Sequence, residues 1–187
     1  MMAETLDIKP DQSLSMKMVV SSIRKRFPSV QHINTTTLDQ WISNTASQQS
    51  TGLVLLDCRP EEEFNVSHIE GSLRVDPELA DISQTLQLIQ DKADDKTEMK
   101  VVCYCSVGYR SSKYADAIQS ELRNSQTDER FASKVKPYNL EGSLFQWANE
   151  GRPMVDYVKH KTTFAHPYNF VWGKLLRKEL RRTDTKY

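Results

Sequence analysis

The chain has 187 residues, enough for one medium domain with extensions and a core of its own. Its 25 basic and 25 acidic residues cancel, which argues against nucleic acid as a default partner, and no apolar run approaches the length of a membrane span. Cys58, Cys103 and Cys105 form an odd set in a chain of ordinary size, which argues against a disulfide framework and for a reducing compartment, the cytoplasm.

Residues 1–12 carry Glu4, Asp7 and Asp11, unlike a targeting peptide, and are expected to be disordered. A helix is predicted over 13–29, running from Ser13 to about Arg26, with Leu14, Met18, Val19 and Ile23 as its apolar stripe and Pro28 as its end. Ile33-Asn34 reads as a short strand. Thr36 or Thr37 then caps a helix bearing Leu38, Trp41 and Ile42, and Asn44 to Thr51 is a polar connection.

Leu53 to Asp57 is an apolar run closed by a carboxylate, the pattern of a parallel strand buried on both faces. Pro60 opens a short helix whose Glu61, Glu62 and Glu63 suit the positive end of the helix dipole. Ser72 to Val75 is a candidate edge strand, followed by a helix ending near Ile89 and an acidic loop from Asp91 to Glu98. Met99 to Tyr104 is a second buried strand, and from Ser111 to about Arg123 the pattern turns helical, with Tyr114, Ala115, Ile118 and Leu122 on one face.

A polar stretch, Asn124 to Lys134, leads to a last strand, Lys136 to Leu140, and a helix through Leu144, Phe145, Trp147 and Ala148 that Gly151 and Pro153 stop. Beyond it, residues 156–187 hold eight Lys/Arg and three Asp/Glu, a surplus of +5 balanced by −5 in residues 1–155. The run Phe170, Val171, Trp172, Leu175, Leu176 and Leu180 predicts an amphipathic helix in this basic extension, packed on the domain. Strands alternating with helices mean an α/β domain with a central, mostly parallel sheet, whose ligands gather at the carboxyl ends of the strands.

Cys105 stands at such an end, between a buried strand and a helix N-terminus. Unpaired backbone N–H groups and the positive end of the helix dipole stabilise an anion there, lower a thiol's pKa and favour the nucleophilic thiolate. Cys103 shares the strand register of Cys105. Two strand rises separate them by roughly 7 Å, too far for an easy bridge. Cys103 and Cys58 are read as packing residues, with a resolving-thiol role left open for Cys103 and a redox role left open for Cys58 by its place at a strand end. With no C-x-x-C pair, a metal site is not indicated.

Three ordered segments resemble the rhodanese-like superfamily of sulfurtransferases. They are Asp57-Cys58-Arg59 with Glu63-Phe64 and His68-Ile69-Glu70-Gly71-Ser72; Cys105-Ser106-Val107-Gly108-Tyr109-Arg110-Ser111; and Asn139-Leu140-Glu141-Gly142-Ser143 with Trp147 and Gly151-Arg152-Pro153-Met154-Val155. The resemblance covers residues 33–155 and implies a three-layer α/β/α fold with a five-stranded sheet. It implies that Cys105 is the nucleophile and takes a sulfur atom from thiosulfate or a persulfide donor. The resulting persulfide then serves a thiophilic acceptor, a protein thiol among the candidates, without a cofactor.

Ser106, Val107, Gly108, Tyr109, Arg110 and Ser111 would wrap the terminal sulfur in backbone N–H groups. Gly108 would supply the freedom for the curve, and Arg110 would either orient an anionic donor or pair with a carboxylate. Asp57, Arg59, Glu63 and His68 are read as a supporting polar scaffold, with Asp57 expected nearest the sulfur because both end adjacent strands. Ser106 stands where some thiosulfate-preferring members carry a basic residue.

A phosphatase of the same fold is a rival reading, but it needs a longer loop for a tetrahedral oxyanion than the four residues between Cys105 and Arg110. A non-catalytic binding module is the other rival, and retention of Cys105, Gly108 and Arg110 weighs against it. The sequence specifies no oligomeric state.

Overall fold

A computed structural model describes residues 14–47, 52–78, 82–92, 98–124 and 127–184. The expected disordered segment 1–12 lies outside the described residues. The elements run α1 (Leu14–Arg26), β1 (Gln31–Ile33), α2 (Thr35–Ser47), β2 (Gly52–Asp57), α3 (Glu61–Val66), β3 (Leu73–Arg74) and α4 (Ser83–Gln90). There follow β4 (Met99–Tyr104), α5 (Tyr109–Leu122), α6 (Glu129–Lys134), β5 (Val135–Leu140), α7 (Ser143–Asn149), β6 (Met154–Val155) and β7 (Lys161–Thr162).

β1 to β5 form one five-stranded sheet in the order β1-β5-β4-β2-β3, every pair parallel. The two longest apolar runs, β2 and β4, sit side by side in its middle with Asp57 opposite Tyr104. Leu56, Val101 and Val102 are wholly buried, each contributing about 1.5–3 kcal/mol. Side chains alternate between the faces of the sheet, so the apolar residues divide into two clusters. One holds Leu38, Leu144, Phe145 and Trp147 from α2 and α7. The other holds Ile89 of α4, Tyr114, Ala115 and Ile118 of α5, and all three cysteines. The result is the three-layer α/β/α arrangement expected.

Several expectations are corrected in detail. α1 turns Met16 and Ile23 inward, with Val19 and Val20 packed beside the core, while Leu14 and Met18 are exposed. α2 begins at Thr35, and its cap is Asn34, whose Oδ1 accepts the Thr37 N–H at 2.8 Å. The polar connection from Asn44 is still helix as far as Ser47. The stretch before β5 contains α6, capped by Asp128, whose side chain accepts the N–H groups of Arg130 and Phe131.

The extension holds no amphipathic α-helix among its described residues. After the β6–β7 hairpin it makes two 3-10 turns, Trp172–Leu175 and Lys178–Leu180. It packs on the domain nonetheless, but through Ala165, Gly173 and Leu176, while Phe170 and Val171 face outward. Gly173 lies against Pro167, so close that an added Cβ would fall 2.9 Å from the proline side chain. No helix among the described residues is long and apolar enough to cross a membrane.

Candidate active site

β4 delivers Cys105 to the carboxyl edge of the sheet, and α5 starts at Tyr109, two residues earlier than the sequence pattern suggests. Arg110 and Ser111 therefore belong to the first helical turn. The chain makes this turn through Gly108 at φ +116°, a conformation that side chains rarely adopt. The Gly108 N–H then points at Cys105 Sγ at 3.1 Å, and the Ser111 hydroxyl lies 3.5 Å from the same sulfur.

Burial alone would raise the Cys105 thiol. The Arg110 charge, the Ser111 hydroxyl and the backbone N–H groups of Ser111 and Gly108 outweigh it and hold the pKa below the ordinary thiol value. The loop's carbonyls point the other way, into α7: Cys105 O accepts the Leu144 N–H and Ser106 O the Phe145 N–H, both at 3.0 Å. That outward pull on the oxygens turns the amides inward, forming a concave donor surface.

Arg110 pairs with a carboxylate. Its guanidinium meets Glu63 Oε1 at 2.9 Å and Oε2 at 3.2 Å, and donates to Ser106 Oγ at 2.9 Å, while Ser106 donates to Glu63 Oε2 at 2.6 Å. The ring of Tyr168 covers the guanidinium face at 4.5 Å. Of the loop residues, Val107 is buried and Tyr109 lies outward, its ring edge-on to Phe27 at 5.4 Å.

Glu63 is the acidic residue that reaches the loop. Asp57, expected nearest the sulfur, projects from the opposite face of the sheet to Cys58 and Cys105, because side chains alternate along β2. Its carboxylate is held by Arg59 through bonds of 2.8 and 2.6 Å, and Arg59 also donates to Ser67 O at 2.6 Å. This buried fork straps the segment after β2 to the sheet. His68 stacks on Phe64 at 3.8 Å, its Nδ1 lies 3.1 Å from Phe64 O, and its backbone bridges to Val155. Asp57, Arg59 and His68 thus bond within the scaffold and not to the Cys105 loop.

Three contributors lay outside the predicted site. Ser143 Oγ accepts the Cys105 N–H at 3.1 Å and donates to Leu140 O. Asn139 Oδ1 accepts from Ser111 Oγ at 2.7 Å, and its amide nitrogen is 3.1 Å from His32 Nδ1. Tyr168 comes from the extension. Asn139 and Ser143 fall within the closing signature, where their polarity between apolar neighbours is the available signal; nothing in the sequence links Tyr168 to Arg110. No group of three or more metal-ligating side chains occurs among the described residues.

Fold and site together define an open parallel α/β domain with a cysteine-centred anion loop at its carboxyl edge. The chain belongs to the rhodanese-like family: a model of the rhodanese-like domain matches residues 36–150. It is similar to tRNA uridine(34) hydroxylases of Streptococcus pyogenes serotype M5 and Streptococcus agalactiae serotype III, 32% identical over 62 residues, or 33% of this chain and 18% of each relative. Among solved structures, thiosulfate sulfurtransferase from Pseudomonas aeruginosa matches 75% of this chain with a TM-score of 0.52 at 12% identity, a likeness of fold. The chain spans 23% of that protein.

Proposed function

We propose that this chain is a sulfurtransferase that carries sulfur as a persulfide on Cys105. The supporting observation is the Gly108 N–H aimed at the Cys105 sulfur inside a loop with four residues between cysteine and arginine. In the first step the Cys105 thiolate attacks the outer sulfur of the donor, the donor's S–S bond breaks and its remainder leaves as the anion. The amides of the loop hold the charge on the terminal sulfur. In the second step a thiophilic acceptor attacks that sulfur and Cys105 leaves as thiolate, a ping-pong cycle.

Arg110 is already paired with Glu63, so an ionised Cys105 leaves the loop with one net negative charge. That balance favours a persulfide donor, which carries at most one negative charge, over dianionic thiosulfate. Small thiols or a protein thiol are the acceptors. The three free cysteines fit a reducing compartment.

The test is intact-mass analysis after incubation with an alkyl persulfide or with thiosulfate. One added sulfur atom is expected, lost in Cys105→Ala, kept in Cys103→Ala, and acquired faster from the persulfide. Failure of the wild-type chain to load from either donor overturns the reading.

A further inference from the structure

The mechanism leaves Cys58 unused. β2 and β4 run in parallel with Leu56 opposite Cys103 and Asp57 opposite Tyr104. The Cys58 N–H donates to Tyr104 O at 2.8 Å, so the ladder continues past its last pair and brings Cys58 opposite Cys105. Alternation places both thiols on one face of the sheet, and both belong to the same buried cluster. Neighbouring strands lie about 4.8 Å apart, inside the Cα separation of roughly 4.4–6.8 Å that a disulfide requires. Cys103 faces the same way, but it is separated from Cys105 along a single strand by about 6.6 Å or more. In the resting protein the Cys58 thiol leans back along the strand, 3.8 Å from Leu56 O and towards Cys103. Rotation about its Cα–Cβ bond is the movement that turns it towards Cys105.

We propose that Cys58 is the resolving thiol of Cys105, converting a modified Cys105 into a Cys58–Cys105 disulfide. Two chemistries feed it. With hydrogen peroxide, the Cys105 thiolate becomes a sulfenic acid as the peroxide O–O bond breaks and hydroxide leaves. The Cys58 sulfur then displaces the oxygen, its proton departs with it as water, and the S–S bond forms. The second route rests on the sulfurtransferase reading. Cys58 attacks the inner sulfur of the Cys105 persulfide, the bond to the terminal sulfur breaks, and that sulfur is reduced and leaves as hydrogen sulfide with the proton from Cys58. A dithiol reductant restores both thiols in either case.

Burial pushes the Cys58 thiol up, which keeps it protonated and the internal step slow. An external acceptor therefore takes the sulfur when one is present. The internal step releases it when none arrives, and spares Cys105 from irreversible oxidation.

The test treats the full chain with excess hydrogen peroxide, blocks remaining thiols, and maps peptides without reduction. A Cys58–Cys105 crosslink is expected in the wild type and in Cys103→Ser, reversed by dithiothreitol. Cys58→Ser and Cys58→Ala should instead carry Cys105 as sulfinic acid. Cys105 over-oxidised in the wild type while Cys58 stays a thiol overturns the proposal, as does a crosslink through Cys103; the wild-type map decides even if both Cys58 variants fail to fold.

In parallel, persulfide-loaded protein should release hydrogen sulfide in the wild type and not in the Cys58 variants. A persulfide that persists equally in both sinks the persulfide route and leaves the sulfurtransferase reading standing. A peroxide-driven crosslink in a chain that never loads sulfur sinks that reading and leaves the resolving role standing.

Discussion

Replacing Ser111 by alanine isolates the share of one hydroxyl in the field at Cys105. The hydroxyl has a single proton and two acceptors, Cys105 Sγ at 3.5 Å and Asn139 Oδ1 at 2.7 Å. A hydrogen bond to a charged group contributes about 1.5–3 kcal/mol, and one pKa unit corresponds to about 1.4 kcal/mol. Full commitment to the sulfur would therefore stabilise the thiolate by that amount and lower the thiol pKa. Because the proton is shared and the contact to sulfur is the longer one, the lower end applies. Ser111→Ala should raise the Cys105 pKa, costing the thiolate about 1.5 kcal/mol, with Arg110 and the backbone donors still in place. Asn139→Leu removes the competing acceptor and should move it the opposite way. The assay is the pH–rate profile of iodoacetamide alkylation, read at the Cys105 peptide by mass. Unchanged profiles in both variants, or shifts of the same sign, with melting temperatures intact, would refute the shared-proton account.

Gly108→Ala carries a torsional cost alone, since the new Cβ would meet Asn139 and Ile23 at an ordinary 3.5 Å while φ is +116°; the urea midpoint should fall by the equivalent of about 1–3 kcal/mol, and a wild-type midpoint would contradict it. Burial pushes His32, His68 and His166 below the ordinary imidazole value, although nearby carbonyls and carboxylates oppose it. The unfolded chain therefore takes up protons first, from about pH 6.5 downward. Stability present above that pH should decline as the pH falls towards the native values, and urea titrations showing no loss between about pH 7 and pH 5 would count against it.

The core strands and the cysteine loop were legible because their signals are local. β2 and β4 are uninterrupted apolar runs, and Cys105 to Ser111 is a contiguous strand-to-helix turn. What escaped depends on distance along the chain. Glu63 and Arg110 are 47 residues apart, and their pairing follows from α3 folding back over the edge of the sheet. Asp57 was misplaced by strand-end proximity alone; the alternation of side chains sends it to the far face.

The α1 stripe was half misread. Leu14 and Met18, four residues apart, share a face opposite the one made by Met16, Val19, Val20 and Ile23, and only the packed domain selects between the two. In the extension, Phe170, Val171 and Trp172 imitate an inward stripe, but Pro167 and Gly173 favour tight turns over a continuous helix. α6 carries a local signal in its cap, Asp128, set among polar neighbours that read as a connection.

The bonds from Leu144 and Phe145 to the carbonyls of Cys105 and Ser106 make the first turn of α7 a gauge of the loop in front of it. Both residues are completely buried, so their amide protons meet solvent only when that turn separates from the loop. Hydrogen exchange at positions 144 and 145 would then time the opening of the loop without any reagent touching the cysteine. A loop already tied down in this way loses little conformational entropy when a ligand arrives, so sulfur enters a seat built during folding.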